Sequence, residues 1–145
     1  MKRGNKAYGE LFVDTSGWGC YFDESDPFHE RAEEFVRLAA EFGVKLITTD
    51  WVLAELVSLL LNRMRLPHQK IVQIVDGIFQ SPSVVIVHVS EEMVRAAWSL
   101  FKQRPDKRWT LVDCVSFIVM KQRGIKKALT TDHHFEQAGF VRLLK

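Results

Sequence analysis

The chain has 145 residues, 47% hydrophobic and 26% charged, with a net charge of +2. That length suits one domain with a substantial core and is short for two, and the composition excludes a disordered, collagenous or membrane-embedded chain. So small a net charge also excludes recognition of nucleic acid by bulk charge, while leaving room for a local basic patch.

Residues 1–8 are polar and are expected to form a loose tail. Residues 10–14, ELFVD, read as a first strand that ends on an acid and runs into the turn-forming residues Thr15, Ser16 and Gly17. The stretch 24–43 carries helix signals, with Asp26 as N-cap, Pro27 in the first position and Gly43 as C-cap. Phe28, Ala32, Phe35, Val36 and Ala39 share one face of it. VKLITT (44–49) is the second strand, followed by a helix over 50–64 capped by Thr49 or Asp50 and an amphipathic helix over 67–79. SVVIVHV (83–89) is the third strand, and Ser90 caps a helix over 90–104. Residues 109–123 form a helix that is apolar almost all round and stops at Gly124. KKALTTD (126–132) is the fourth strand, a helical turn follows at 133–138, and FVRLL (140–144) is a last edge strand. Strands alternating with helices specify a parallel α/β sheet covered on both faces. With no repeat and no linker long enough to divide it, residues 1–145 are expected to be one domain.

Cys20 and Cys114 lie far apart in apolar surroundings without metal-ligand spacing, as buried thiols of a reducing compartment do. The basic N-terminus has no apolar segment behind it and no apolar run reaches membrane-spanning length, so a cytoplasmic location is expected.

In open α/β sheets ligands bind outside the carboxyl ends of the strands, and four acids fall there. Asp14 closes the first strand, Asp132 closes the fourth, Glu55 lies early in the helix after the second, and Asp113 lies in the first turn of the apolar helix. Each also has a local explanation. Asp14 suits an Asx-turn, Asp113 a capping box with Thr110, Asp132 a helix cap, and Glu55 a solvated stripe with Ser58 and Asn62. Together they imply more, because crowded carboxylates repel and a buried acid without a partner is costly. A hard divalent cation, Mg²⁺ or Mn²⁺, resolves both, and such a site takes phosphate oxygens and activates water for attack on phosphorus. Thr15, Ser16 and Thr131 are placed either to orient these carboxylates or simply to make turn and cap bonds.

The segments FVDTSGW, TTDWVLAEL, WTLVDCVSF and LTTDHHF, in that order from residue 11 to about residue 143, resemble the PIN-domain ribonucleases. The likeness is strongest to the small VapC-type toxins of toxin–antitoxin pairs. The resemblance implies a Rossmann-like three-layer α/β/α sandwich with a mostly parallel twisted sheet, and cleavage of RNA at an acidic Mg²⁺ or Mn²⁺ site. It maps the four acids of the family onto Asp14, Glu55, Asp113 and Asp132, with Asp14 and Asp113 the pair tied most directly to the metal. Many relatives carry a further acid where this chain has His134. His134 or His133 could contribute a ligand in its place, but imidazole is a softer choice for Mg²⁺, and the preferred reading is an exposed histidine at a helix start. The resemblance also implies a homodimer and a cognate antitoxin. The amphipathic helices 51–66 and 67–79 offer a dimer face, although core packing explains their apolar positions equally well.

A nuclease with an acidic pocket needs positive flanks for the RNA backbone. Lys102, Arg104, Lys107 and Arg108 before the apolar helix, and Arg63 and Arg65 after the Glu55 helix, are the contact candidates. Trp18 and Trp109 flank the pocket in sequence, as base-stacking groups or, more readily for Trp109, as core. Two other readings compete. A metal-dependent phosphatase or phospho-receiver lacks its second acid, Ser16 standing where the phosphatases need it, and a non-catalytic RNA-binding module would not need all four acids.

Overall fold

The computed structural model describes residues 9–145, so the tail expected at 1–8 lies outside the described residues. Five strands form one all-parallel sheet in the order β3-β2-β1-β4-β5. They are β1 (Glu10–Val13), β2 (Lys45–Thr49), β3 (Val84–Val87), β4 (Lys127–Leu129) and β5 (Val141–Arg142). The helices are α1 (Thr15–Phe22), α2 (His29–Glu41), α3 (Asp50–Asn62), α4 (His68–Gln80), α5 (Glu91–Gln103), α6 (Leu111–Arg123) and α7 (His134–Gln137). The sheet, expected to be parallel or mostly so, is parallel throughout, and a helix lies in each connection between successive strands.

The order runs outward from β1 through β2 to β3 and then returns to the far side of β1 for β4. Parallel crossovers are right-handed, so helices on the outward journey and helices on the return cover opposite faces. The packing agrees: α1 lies against α2 and α3, and α3 against α4, while α5 and α6 form a separate closely packed pair. The reversal between β1 and β4 is the switch point at which open α/β sheets leave a crevice.

Capping follows the sequence closely. Thr49 Oγ1 accepts from Val52 N, Ser90 Oγ from Met93 N, and Gly124 closes α6 in the left-handed region at φ 70°. Asp26 accepts from Phe28 N at 2.8 Å, but α2 proper begins at His29, two residues after the expected start at Pro27. The clear departure is α1. Thr15, Ser16 and Gly17, read as turn-forming, instead open an eight-residue helix, TSGWGCYF, directly after Asp14. Its two glycines and hydroxyl start give it low intrinsic propensity, and packing decides instead. Trp18 and Cys20 are buried, and Trp18 Nε1 donates to Thr48 Oγ1 at 3.2 Å. Trp18 is therefore core, not a base-stacking group.

Gly17 makes that packing possible. A Cβ there would lie 2.1 Å from the carbonyl oxygen of Leu129, so only glycine lets α1 pass over the end of β4. The core under the sheet is continuous from Phe12, Ile47 and Leu56 to Phe117, Leu129 and Phe135, all fully or nearly fully buried.

Candidate active site

Asp14 is the first residue past β1, and its backbone is fixed on both sides. Its N–H donates to Leu129 O at 3.3 Å, and its carbonyl accepts from Trp18 N at 3.1 Å. The side chain points to the carboxyl edge of the sheet and is only 6% exposed as a residue. Burial pushes its carboxyl up from 3.8 to about 7, opposed by hydrogen bonds from Thr15 and Thr130 and reinforced by the charges of Asp113 and Asp132. A carboxylate in such surroundings is poised to exchange its proton for a cation.

A chain of hydroxyls holds it. Thr131 N donates to Ser16 Oγ at 3.0 Å, Ser16 Oγ lies 3.0 Å from Thr130 Oγ1, and Thr130 Oγ1 donates to Asp14 Oδ2 at 3.0 Å. Each hydroxyl has one proton, so Ser16 donates to Thr130 and Thr130 to Asp14. Thr130 also accepts from Asp132 N at 3.0 Å, tying the first acid to the fourth. Thr130 was absent from the sequence reading, which named Thr131 instead. Thr131 contributes its backbone N–H to this chain and lines the pocket, while the hydroxyl that reaches Asp14 is that of its fully buried neighbour.

Asp113 sits in the first turn of α6, and the capping-box explanation of it holds. Its Oδ2 accepts from Thr110 N at 2.9 Å while Thr110 Oγ1 accepts from Asp113 N at 3.0 Å, a complete capping box. The same carboxylate lines the pocket, and burial raises its pKa, with Asp132 and Glu55 adding repulsion. Asp132 makes an Asx-turn to His134 N at 2.9 Å. Glu55, exposed on α3, accepts from Thr15 Oγ1 at 2.8 Å.

Asp14, Glu55, Asp113 and Asp132 line one open cleft of about 670 Å³ together with Thr15, Ser16, Thr110, Thr131 and His134. Four elements distant in sequence therefore bring one acid each to the switch-point crevice. His134 corrects the sequence expectation. Its side chain is only 19% exposed and faces inward, with Nδ1 3.1 Å from Asp132 Oδ1 and 3.4 Å from Asp113 Oδ2. His133 is the exposed one, at 63%.

The carboxylates fit a hard divalent cation: two carboxyls raised by burial and two further carboxylates beside them.

The basic residues divide. Arg63 lines the cleft beyond Glu55 and Leu59 on α3. Arg65 is exposed and breaks the chain direction at φ 53°. Lys107 is partly buried near Asp106 and Arg108 is exposed. Arg104 is bidentate to Asp106 at 3.0 and 3.1 Å and lies over the Trp109 ring. Trp109 is core, 5% exposed.

The chain is similar to known proteins over nearly all of its length. The PIN domain family matches residues 11–141. The 23S rRNA-specific endonuclease VapC20 of Mycobacterium tuberculosis is 34% identical over 133 residues, 92% of this chain and 97% of that protein. The VapC ribonuclease of Aquifex aeolicus is 26% identical over 112 residues, 77% of this chain and 78% of that protein. The crystal structure of Mycobacterium tuberculosis VapC20, a sarcin–ricin loop cleaving toxin, superposes with a TM-score of 0.80 at 32% identity, covering 93% of this chain and 99% of that one. Among the described residues, no helix is long and apolar enough to cross a membrane.

Proposed function

The chain belongs to the PIN-domain family, and we propose that it is a divalent-metal-dependent endoribonuclease, the toxin of a VapC-type pair. The observation that carries the proposal is the convergence of Asp14, Glu55, Asp113 and Asp132 on the switch-point cleft, with Asp14 buried and without a cationic side-chain partner among the described residues. Asp14 and Asp113 are the residues assigned to hold Mg²⁺ or Mn²⁺, with Asp132 beside them. When bound, such an ion supplies Lewis-acid stabilisation of charge developing on the phosphodiester and lowers the pKa of water.

The chain's own groups do the rest. The hydroxyl relay from Ser16 through Thr130 fixes the Asp14 carboxylate in one orientation. The Asx-turn and capping box do the same for Asp132 and Asp113, so little reorganisation accompanies reaction. Glu55, fixed by Thr15 and open to solvent, is the carboxylate able to pass a proton out of the cleft. Arg63 on the same wall offers positive charge to a phosphate arriving at an acidic mouth.

The likeness to VapC20 supports a ribosomal RNA loop as substrate, the kind of unpaired target that side chains can splay and read. A cognate antitoxin and a homodimer complete the proposal. Exposed apolar side chains support an association surface: Leu61, Val72 and Phe79 on α3 and α4, and the stacked Trp98–Phe101 pair on α5. Light scattering of the purified protein checks the dimer.

The test of activity is cleavage of a synthetic sarcin–ricin loop and of 23S rRNA with Mg²⁺ or Mn²⁺, against a chelator control. Cleavage is expected to need the ion and to fall at least about 100-fold in Asp14→Asn, because even groups behind metal ligands are worth 10–100-fold. Cleavage that survives chelation or the substitution would overturn the assignment.

A further inference from the structure

His134 Nδ1 is buried and, among the described residues, makes no hydrogen bond, although two carboxylate oxygens lie 3.1 and 3.4 Å away. Those oxygens already accept elsewhere, Asp132 Oδ1 from His134 N and Asp113 Oδ2 from Thr110 N. The backbone bond from His134 N helps to fix the residue, and the ring is held inward at 19% exposure. A ring nitrogen kept close to two carboxylates without hydrogen-bonding either needs another partner.

The spacing supplies one. Adjacent ligands of an octahedral ion with bonds of about 2.1 Å are about 3.0 Å apart. The separations from His134 Nδ1 to the oxygens of Asp132 and Asp113 match that edge length. Building on the metal-site reading of the cleft, we infer that His134 Nδ1 is itself a ligand, which gives this chain a mixed nitrogen and oxygen site. Imidazole is a borderline donor that transition ions accept well, whereas Mg²⁺ favours oxygen. The nitrogen biases the site toward Mn²⁺ over Mg²⁺. His133 lies near the same group of donors, yet it is 63% exposed and its Nδ1 is 3.9 Å from Asp132 Oδ1, so it serves as the control.

The experiment is pulsed electron paramagnetic resonance of the full chain loaded with Mn²⁺, together with calorimetric titration of Mn²⁺ and Mg²⁺. Nitrogen hyperfine coupling to Mn²⁺ is expected in the wild type and in His133→Ala, and is expected to vanish in His134→Ala and His134→Asp. His134→Asp should also shift the Mn²⁺ over Mg²⁺ preference toward Mg²⁺ by roughly tenfold. Mn²⁺ binding that depends on Asp14 but shows no nitrogen coupling, or coupling that persists in His134→Ala, would overturn the ligand role and leave the metal-site reading intact. Failure of the wild type to bind Mn²⁺ at all would overturn both.

Discussion

The two ends of β1 carry one carboxylate each, and the protein treats them differently. Glu10 at the amino end is bidentate with Arg123, at 2.8 and 3.0 Å, so the fold closes that charge with its own cation. Asp14, four residues on, is buried more deeply and among the described residues receives only hydroxyl and backbone donors, while Asp113 and Asp132 add like charge. An ion pair at one end is structure completed within the chain. At the other end the fold has spent stability to hold carboxylates in readiness for something from outside.

The contrast breaks most bluntly at Gly17. Gly17→Ala would drive a Cβ into the Leu129 carbonyl, and a loss of about 3 kcal/mol or more in urea unfolding is expected as α1 or β4 shifts. Gly124→Ala, at φ 70° with nothing within 4 Å of its Cβ, should cost only about 1 kcal/mol.

Asp14 sharpens the contrast through pH. Folded Asp14 titrates at about 7 against 3.8 as the ordinary value, so between those values the native state holds a proton that the unfolded chain releases. Metal-free stability should therefore fall as pH rises from 4 through 7. Asp14→Asn should weaken that decline, leaving the part due to the raised Asp113 carboxyl, and be more stable than wild type at pH 8 by a few kcal/mol. Adding Mn²⁺ should stabilise the wild type and leave the variant unmoved, as read by urea titration.

A smaller effect is expected at Thr130. Thr130→Val removes the hydroxyl that donates to Asp14 Oδ2, and a roughly tenfold loss of Mn²⁺ affinity by calorimetry is expected. The least effect belongs to the closed end, where Glu10→Gln should change stability by under about 1 kcal/mol and leave RNA cleavage intact.

Most of the frame could be read in advance, because caps, strand runs and the order of elements are local signals. The positions of the four acids were legible for the same reason: Asp14 and Asp132 come after strands, and Glu55 and Asp113 lie early in helices whose starts are marked by Thr49 and Thr110. What escaped were features decided by packing. TSGWGCYF has a poor helix composition and becomes α1 only because Trp18 and Cys20 find the core and Gly17 fits against β4. Thr130 and Thr131 are chemically identical neighbours past the end of β4, and only the positions of Asp14 and Ser16 select Thr130 as the one that matters. His134 follows a helix-start pattern that usually faces water. The four-residue α7 turns it inward, because Phe135 beside it is fully buried and anchors that turn.

The bond between Thr130 and Asp14 joins residues 116 positions apart. Asp14 has been synthesised long before the group that orients it, and Asp132 and His134 come later still. A growing chain therefore carries no complete cleft until β4 has paired with β1.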